Sequence, residues 1–275
     1  MSDGATARVH ALFDLAPAGA DTWRTVPRRP EGGDPMSPPR LFGGQVASQA
    51  LGAAIRSVDA DHGVNSLHAY FLRPGRYGEA IDYVVDRIRD GSSFTTRRVV
   101  ALQGGDAILN LDASFHRTEP GEEHQPPSPV PGVPDPDAGA APLDPPWGRG
   151  RPVDVRTVPA PPGRRRVWVR VPGKLPDDPA IHTCMITFLS DMGPVGVVSG
   201  SLAAPRGTRM MASLDHCMWF HHPARADEWL LYELEAVATA RARGVARGSL
   251  WDQDGRLVAS LVQEVLARPR DPGRG

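Results

Sequence analysis

The chain repeats itself. Sliding the 275-residue sequence along itself by 149 positions sets Phe71 and Pro74 of 67-LHAYFLRP-74 on Phe220 and Pro223 of 216-HCMWFHHP-223. Arg76, Glu79, Tyr83 and Arg98 then meet Arg225, Glu228, Tyr232 and Arg247, and 98-RVVALQGGDAILNLDASF-115 lies over 247-RGSLWDQDGRLVASLVQE-264 without a gap. Self-similarity at a fixed offset marks a duplicated structural unit. The fold must therefore be one in which two like units cover each other's exposed faces.

Each unit has the same grammar. Gly104-Gly105-Asp106 and Gln253-Asp254-Gly255 are short Gly/Asp turns between strand-like runs, the mark of a hairpin. Upstream, 43-GGQVASQALGAAIRSV-58 reads as an Ala-rich helix, with a counterpart near residues 178–192. Each half is thus one long helix followed by about four antiparallel strands. The helices are apolar over so much of their surface that a curved sheet must wrap them. This predicts an α+β fold of two fused hotdog repeats, a double hotdog. The expected boundaries are 9–118 for the first repeat and 164–268 for the second. Between them, 119–163 includes 126-PPSPVPGVPDPDAGAAPLDPP-146, too rich in Pro and Gly to feed a ladder of hydrogen bonds, and reads as a linker or a long surface crossing. Residues 1–8 and 269–275 are expected to be disordered tails.

Bulk properties narrow the function. A net charge of −1 gives no electrostatic case for nucleic acid or a membrane surface. No apolar run is read as approaching the roughly 18 residues of a membrane span. The opening MSDGATARVH lacks the apolar segment of a signal peptide, and the closing PGRG is no peroxisomal address. Cys184 and Cys217 lie in apolar runs and form neither a disulfide framework nor a metal pattern. The expectation is a soluble cytoplasmic protein with no metal or redox cofactor. Sheets of this kind pack further, so a homo-oligomer is expected.

One stretch breaks its own pattern. In 181-IHTCMITFLSDMGPV-195 the residues Ile181, Cys184, Met185, Phe188 and Met192 fall on one apolar side, and Asp191 lies at the edge of that stripe. Either the acid escapes to solvent past Gly193 and Pro194, or it is a working acid at the core. The repeat weighs the two. Matching the helices by their stripes, about nine residues out of step with the strands, puts Leu51 opposite Asp191. In 256-RLVASLVQEVL-266, Gln263 interrupts the face made by Leu257, Ala259, Leu261 and Val265, and its repeat partner is Ser114. In 209-RMMASLDHCMWF-220, Met211, Ser213, Cys217 and Trp219 share a face by alternation, and Ser213 falls opposite Val64. An acid, a hydroxyl and a carboxamide stand in one half and not in the other.

Their chemistry is coherent. Asp191 can take a proton from water as general base. Ser213 and Gln263 can hold that water, and Gln263 can also orient Asp191. Ser213 is a poorer nucleophile, because no nearby sequence marks a paired base or a nucleophile elbow. The attacked group would be an activated acyl carbon whose oxyanion needs backbone N–H donors. Gly43 and Gly44, or the backbone near Gly193, are the candidates. His216, His221 and His222 give no tight metal site, since 216 and 222 share one strand face and 221 points the other way. Arg73, Arg89, Arg97 and Arg98 are either phosphate contacts or solvated charges. Trp219 and Trp229 read as core.

At this point the sequence resembles a known family, the acyl-CoA thioesterase II family, which includes the peroxisomal acyl-CoA thioesterases. The resemblance covers roughly 40–118 and 165–268. It is carried by 41-LFGGQ-45, 70-YFLRPG-75, 89-RDGSSFTTRRV-99, 189-LSD-191, 213-SLDHCMWFH-221, 228-EWLLY-232, 243-RG-244 and 255-GRLVASLVQE-264. It implies a double hotdog that hydrolyses acyl-CoA to free acid and CoA, with a catalytic Asp, Thr or Ser, and Gln falling on Asp191, Ser213 and Gln263. Two positions depart: Asn65 stands where the family often has His, and Val265 where it usually has Gly. An acyl carrier protein in place of CoA, a hotdog dehydratase or hydratase acting on acyl thioesters, and a non-catalytic acyl-thioester binding protein are the alternatives.

Overall fold

The computed structural model describes residues 2–30, 40–142, 152–203, 205 and 207–270. The first half runs α1 (Ser2–Leu12), the hairpin β1 (Ala16–Gly19) and β2 (Thr22–Thr25), α2 (Gly43–Ile55), then β3 (His62–Phe71), β4 (Ile81–Asp90), β5 (Phe94–Gln103) and β6 (Asp106–Arg117). After β7 (Ala141–Pro142), the second half repeats the order. The hairpin β8 (Asp154–Val158) and β9 (Arg164–Arg170) precedes the helices α3 (Pro179–Ser190) and α4 (Pro194–Ser201). The strands β10 (Arg209–Ser213), β11 (Asp215–Phe220), β12 (Leu230–Ala240), β13 (Arg243–Trp251) and β14 (Leu257–Pro269) follow.

All the strands join one antiparallel sheet in the order β1-β2-β4-β5-β6-β3-β11-β14-β13-β12-β9-β8-β7, with β10 also paired to β14. Read outward from the centre, the two sides are the same. Each begins with the strand after the helix, passes through the hairpin partners and ends with the strands that precede the helix. The seam is β3 on β11, from Ser66 opposite Trp219 to Tyr70 opposite Asp215. This is the double hotdog that the repeat predicts, and the halves become one continuous sheet.

The helices are central because the sheet wraps them. Every residue of α2 from Gly44 to Ala54 is buried, and its Gly, Ala and Ser side chains let α3 and the strands come close. Tyr83 and Tyr232, equivalent under the repeat, donate to the Gln49 Oε1 and to the Ser190 carbonyl respectively. Leu51, matched to Asp191 by the apolar stripes of the two helices, is a buried apolar residue. In the second half the helical run breaks at Asp191-Met192-Gly193 before α4 resumes.

Three expectations need correcting. Segment 119–163 is not a free linker. Its prolines bar most ladder pairing, so it docks by other bonds: Gln125 brackets the last hairpin at the Gly255 carbonyl and the Leu257 N–H (2.9 Å each). Trp168 Nε1 donates to the Pro134 carbonyl at 2.9 Å and Trp229 Nε1 to Asp137 at 3.1 Å. Its later part supplies β8, with Val155 in the core; residues 143–151 lie outside the described set. Residues 2–8 are not a disordered tail but belong to α1, anchored by buried Val9 and by Gln49 donating to the Leu12 carbonyl at 2.6 Å. At the other end β14 runs to Pro269, and residues 271–275 lie outside the described set. Finally, Pro179–Ser201 is long and apolar enough to cross a membrane by length and composition only, and 78 % of its 18-residue apolar window is buried inside the protein. Its polar residues, which shorten the run to the eye, bond within the helix: Thr187 to the Thr183 carbonyl and Ser190 to the Thr187 carbonyl.

Candidate active site

A local irregularity assembles the site. β10 pairs with β14 so that Ser213 faces Val265, whereas β11 pairs so that Cys217 faces Val262, a slip of one residue at Leu214. A bulge of this kind re-aims side chains. The even-numbered His216 and Met218 follow Ser213 to the inner face, and Trp219 is turned outward, in edge contact with His68. Unbroken alternation through 209–220 is thereby overturned: Ser213 does not share a face with Cys217 and Trp219. The first half has the same slip at Asn65, between Val64 and Ser66, the position equivalent to Leu214 under the repeat.

The inner face then carries a connected set. Asp191, the C-cap of α3, accepts from the Gly44 N–H at 2.7 Å through Oδ2. Ser213 Oγ donates to Asp191 Oδ1 at 3.4 Å, long for a hydroxyl–carboxylate bond. Gln263 Nε2 donates to Ser213 Oγ at 2.7 Å, and Gln263 Oε1 lies 2.5 Å from His216 Nδ1. His216 Nε2 is 2.8 Å from Ser190 Oγ. Asp191, Ser213 and Gln263 are brought together as expected, and the solvent-escape reading of Asp191 fails, since it is only 8 % exposed.

Asp191 and Ser213 lie on the wall of a cavity of about 780 Å³ between the two halves. Gly43 and Phe71 come from the first half; Gly193 and Met211 come from the second. Gln263 is fully buried and is not in this wall; it reaches the cavity through Ser213. Of the four arginines considered, Arg73 lines the cavity. Arg98 pairs with Asp112, and Arg97 is buried against Ser57 and Asp90.

The three glycines hold the geometry by different means. A Cβ on Gly43 would come within 2.9 Å of Asp191 Oδ2, and one on Gly44 within 2.7 Å of the Phe188 carbonyl and 3.0 Å of Asp191 Cβ. Only bare backbone lets the start of α2 touch the acid. The Gly44 N–H is spent on Asp191, and Gly43 beside it lies on the cavity wall. A Cβ on Gly193 would fall 2.0 Å from Leu234 Cδ1, so this glycine lets the broken helix press on β12.

Electrostatics follow burial. Desolvation holds His216 below the ordinary histidine range, although Asp191 and the Gln263 bond pull it the other way. Burial and the Asp191 charge push the Tyr232 phenol well up. Burial pushes the Cys184 thiol up to about 12, leaving it protonated. His182 bonds the Ala226 N–H through Nδ1 and is not in the cavity wall, and neither is His216. Among the described residues, no group of three or more His, Cys, Asp and Glu side chains is placed to hold a metal.

Sequence alone weighs His216 as a metal ligand, sets it aside, and gives Ser190 no role of its own. The signal was there: under the repeat His216 falls on Leu67, a buried apolar residue. That is the same asymmetry that singled out Ser213 and Gln263.

Fold and site define a class, the double-hotdog thioester hydrolases. Models of the acyl-CoA thioesterase N-terminal and C-terminal domains match residues 33–116 and 109–267. Human acyl-coenzyme A thioesterase 8 is 36 % identical over 83 % of this chain and 81 % of its own, and acyl-CoA thioesterase 2 of Haemophilus influenzae is 33 % identical over 83 % and 88 %. The crystal structure of an acyl-CoA thioesterase II from Mycobacterium marinum superposes with a TM-score of 0.81 at 36 % identity, covering 98 % of this chain and all of the other. The chain belongs to the acyl-CoA thioesterase family.

Proposed function

We propose that this protein hydrolyses acyl-CoA to a free carboxylic acid and CoA by direct attack of water, with Asp191 as general base. One observation carries the reading: a nearly buried carboxylate on the cavity wall, held by a backbone N–H from one half and a hydroxyl from the other. Water bound between Asp191 and Ser213 attacks the thioester carbonyl carbon while its proton passes to Asp191. The oxyanion forms where the Gly43 N–H can donate, at the positive end of α2. Collapse breaks the C–S bond, and the departing thiolate takes the proton back from Asp191. Ser213 positions the water, and Gln263 acts through Ser213.

The rest of the cavity suits the substrate. Leu41, Val46, Ile108 and Leu266 offer an apolar wall to an acyl chain. Arg40 and Arg73 place guanidinium groups there for the phosphates of CoA. The names of the relatives, acyl-coenzyme A thioesterases, point to the same substrate class.

The test is free-thiol release by the wild-type protein from acyl-CoAs of graded length, beside matching acyl-carrier-protein thioesters. Saturable release from CoA thioesters supports the reading. Binding of acyl-CoA without any release of thiol sinks it, and a preference for the carrier-protein thioester moves the substrate.

A further inference from the structure

We propose that His216 is a positioning residue for the reaction: its Nδ1–H decides which end of the Gln263 carboxamide faces Ser213, and so whether Ser213 offers its proton to Asp191. The inference rests on the assignment of Asp191 as base. It follows from counting hydrogens in a closed space. His216 and Gln263 are fully buried, so the bonds they make to each other and to their neighbours must serve them.

A carboxamide accepts at one end and donates at the other. With the proton on Nδ1, His216 donates to Gln263 Oε1, and the amide NH2 is turned to Ser213 Oγ. Ser213 then accepts from Gln263, and its single hydroxyl proton is left for Asp191. With the proton on Nε2 alone, the amide must turn over. Its NH2 would go to His216 and its carbonyl would take the Ser213 proton, leaving Ser213 lone pairs against the carboxylate. Only the first arrangement gives Asp191 a donor.

At the far end the single Ser190 hydroxyl proton has two acceptors, the Thr187 carbonyl and His216 Nε2, each 2.8 Å from Oγ. In the first arrangement it goes to Nε2; in the second it stays on Thr187 and Nε2–H donates to Ser190 Oγ, so this end permits both and the Ser213 end decides. In the first, donors run one way, from Ser190 through His216, Gln263 and Ser213 to Asp191. Burial keeps the imidazole neutral, which makes its tautomer the variable that matters. In the first half Leu67, Ser114 and Val64 occupy the places of His216, Gln263 and Ser213, and no such relay exists there.

The experiment combines NMR of 15N-histidine-labelled wild type with kinetics of His216→Leu and His216→Asn. The wild-type spectrum is expected to show His216 as the neutral Nδ1–H tautomer. His216→Leu keeps bulk and removes the donor, and is expected to lower kcat roughly tenfold to a hundredfold, as loss of an orienting partner commonly does, with KM nearly unchanged. His216→Asn, whose amide N–H lies near the Nδ1 position, is expected to recover most of kcat. In a Gln263→Met background, His216→Leu is expected to change nothing further, because the two act through one path. An Nε2–H tautomer overturns the proposal even if the Leu variant folds poorly. So does an unchanged kcat in that variant, or an additive loss in the double variant. An Asp191→Asn protein that stays active would instead overturn the base assignment, and the tautomer reading would be unaffected by it.

Discussion

The Gly44 amide of the first repeat donates to the Asp191 carboxylate of the second at 2.7 Å. That one bond crosses the duplication. The acid comes from the half that kept the polar residues, and the donor comes from the half that did not. The first half thus supplies the backbone donor that holds the carboxylate of the second.

Gly44→Ala tests this. Its Cβ would press on the Phe188 carbonyl and Asp191 Cβ, neither of which can move aside freely. A stability loss of about 1–3 kcal/mol is expected from overpacking, with a fall in kcat larger than the melting shift explains. Thermal melts and thiol-release rates of the same preparation check it. Activity at the wild-type level would mean that the bond to Asp191 is incidental.

Gly193→Ala addresses the helix break. The added methyl would overlap Leu234 Cδ1, and a loss of about 1–3 kcal/mol is expected. Leu234→Ala in the same chain makes room. The double variant should therefore be more stable than the sum of the single effects predicts, by about 0.5–3 kcal/mol of coupling. Denaturant titrations of the four proteins measure the cycle, and strict additivity would rule the contact out.

Arg97 is a structural charge far from the site. It bonds the Ser57 hydroxyl and carbonyl and the carbonyls of Arg89 and Thr96, and pairs with Asp90. Ser57 follows the C-terminus of α2, about 20 Å along a 13-residue helix from Gly44. Arg97→Met strips buried carbonyls of their donor at about 1–3 kcal/mol. Stability should drop while kcat, measured well below the melting point, stays at the wild-type value.

Buried histidines should make the fold sensitive to acid. Desolvation holds His216 and His182 below the usual histidine range. The unfolded chain then binds protons that the native state refuses. Their contribution is complete above an unfolded pKa of about 6.5 and is lost as pH falls below it. The melting temperature should decline from pH 7 toward pH 5. His182→Asn, which keeps an acceptor for the Ala226 N–H and cannot titrate, should flatten that decline. An equal slope in both proteins would assign the acid sensitivity elsewhere.

The fold was legible because the repeat offset, the hairpin turns and the all-round apolar helices agree, and each fixes a different level of structure. The polar trio was legible because duplication supplies its own control: Val64, Ser114 and Leu51 show what the matched positions of the other half hold. The contact of His216 with Gln263 was not legible because strict alternation fails at Leu214, and a bulge leaves no mark in hydropathy. The 119–163 segment was legible only as a linker or surface crossing, and its docking was not. Proline content limits a ladder to β7 and β8, but it does not exclude docking of Gln125 on the last hairpin and of Pro134 and Asp137 on Trp168 and Trp229.

The most direct test of the central claim is thiol release by Asp191→Asn, which keeps the shape and removes the base. Water activation by Asp191 predicts a correctly folded protein whose kcat falls by about a hundredfold or more while acyl-CoA still binds. A folded variant that releases thiol at the wild-type rate would contradict it, and would leave the carboxylate at the break of the helix as a structural cap.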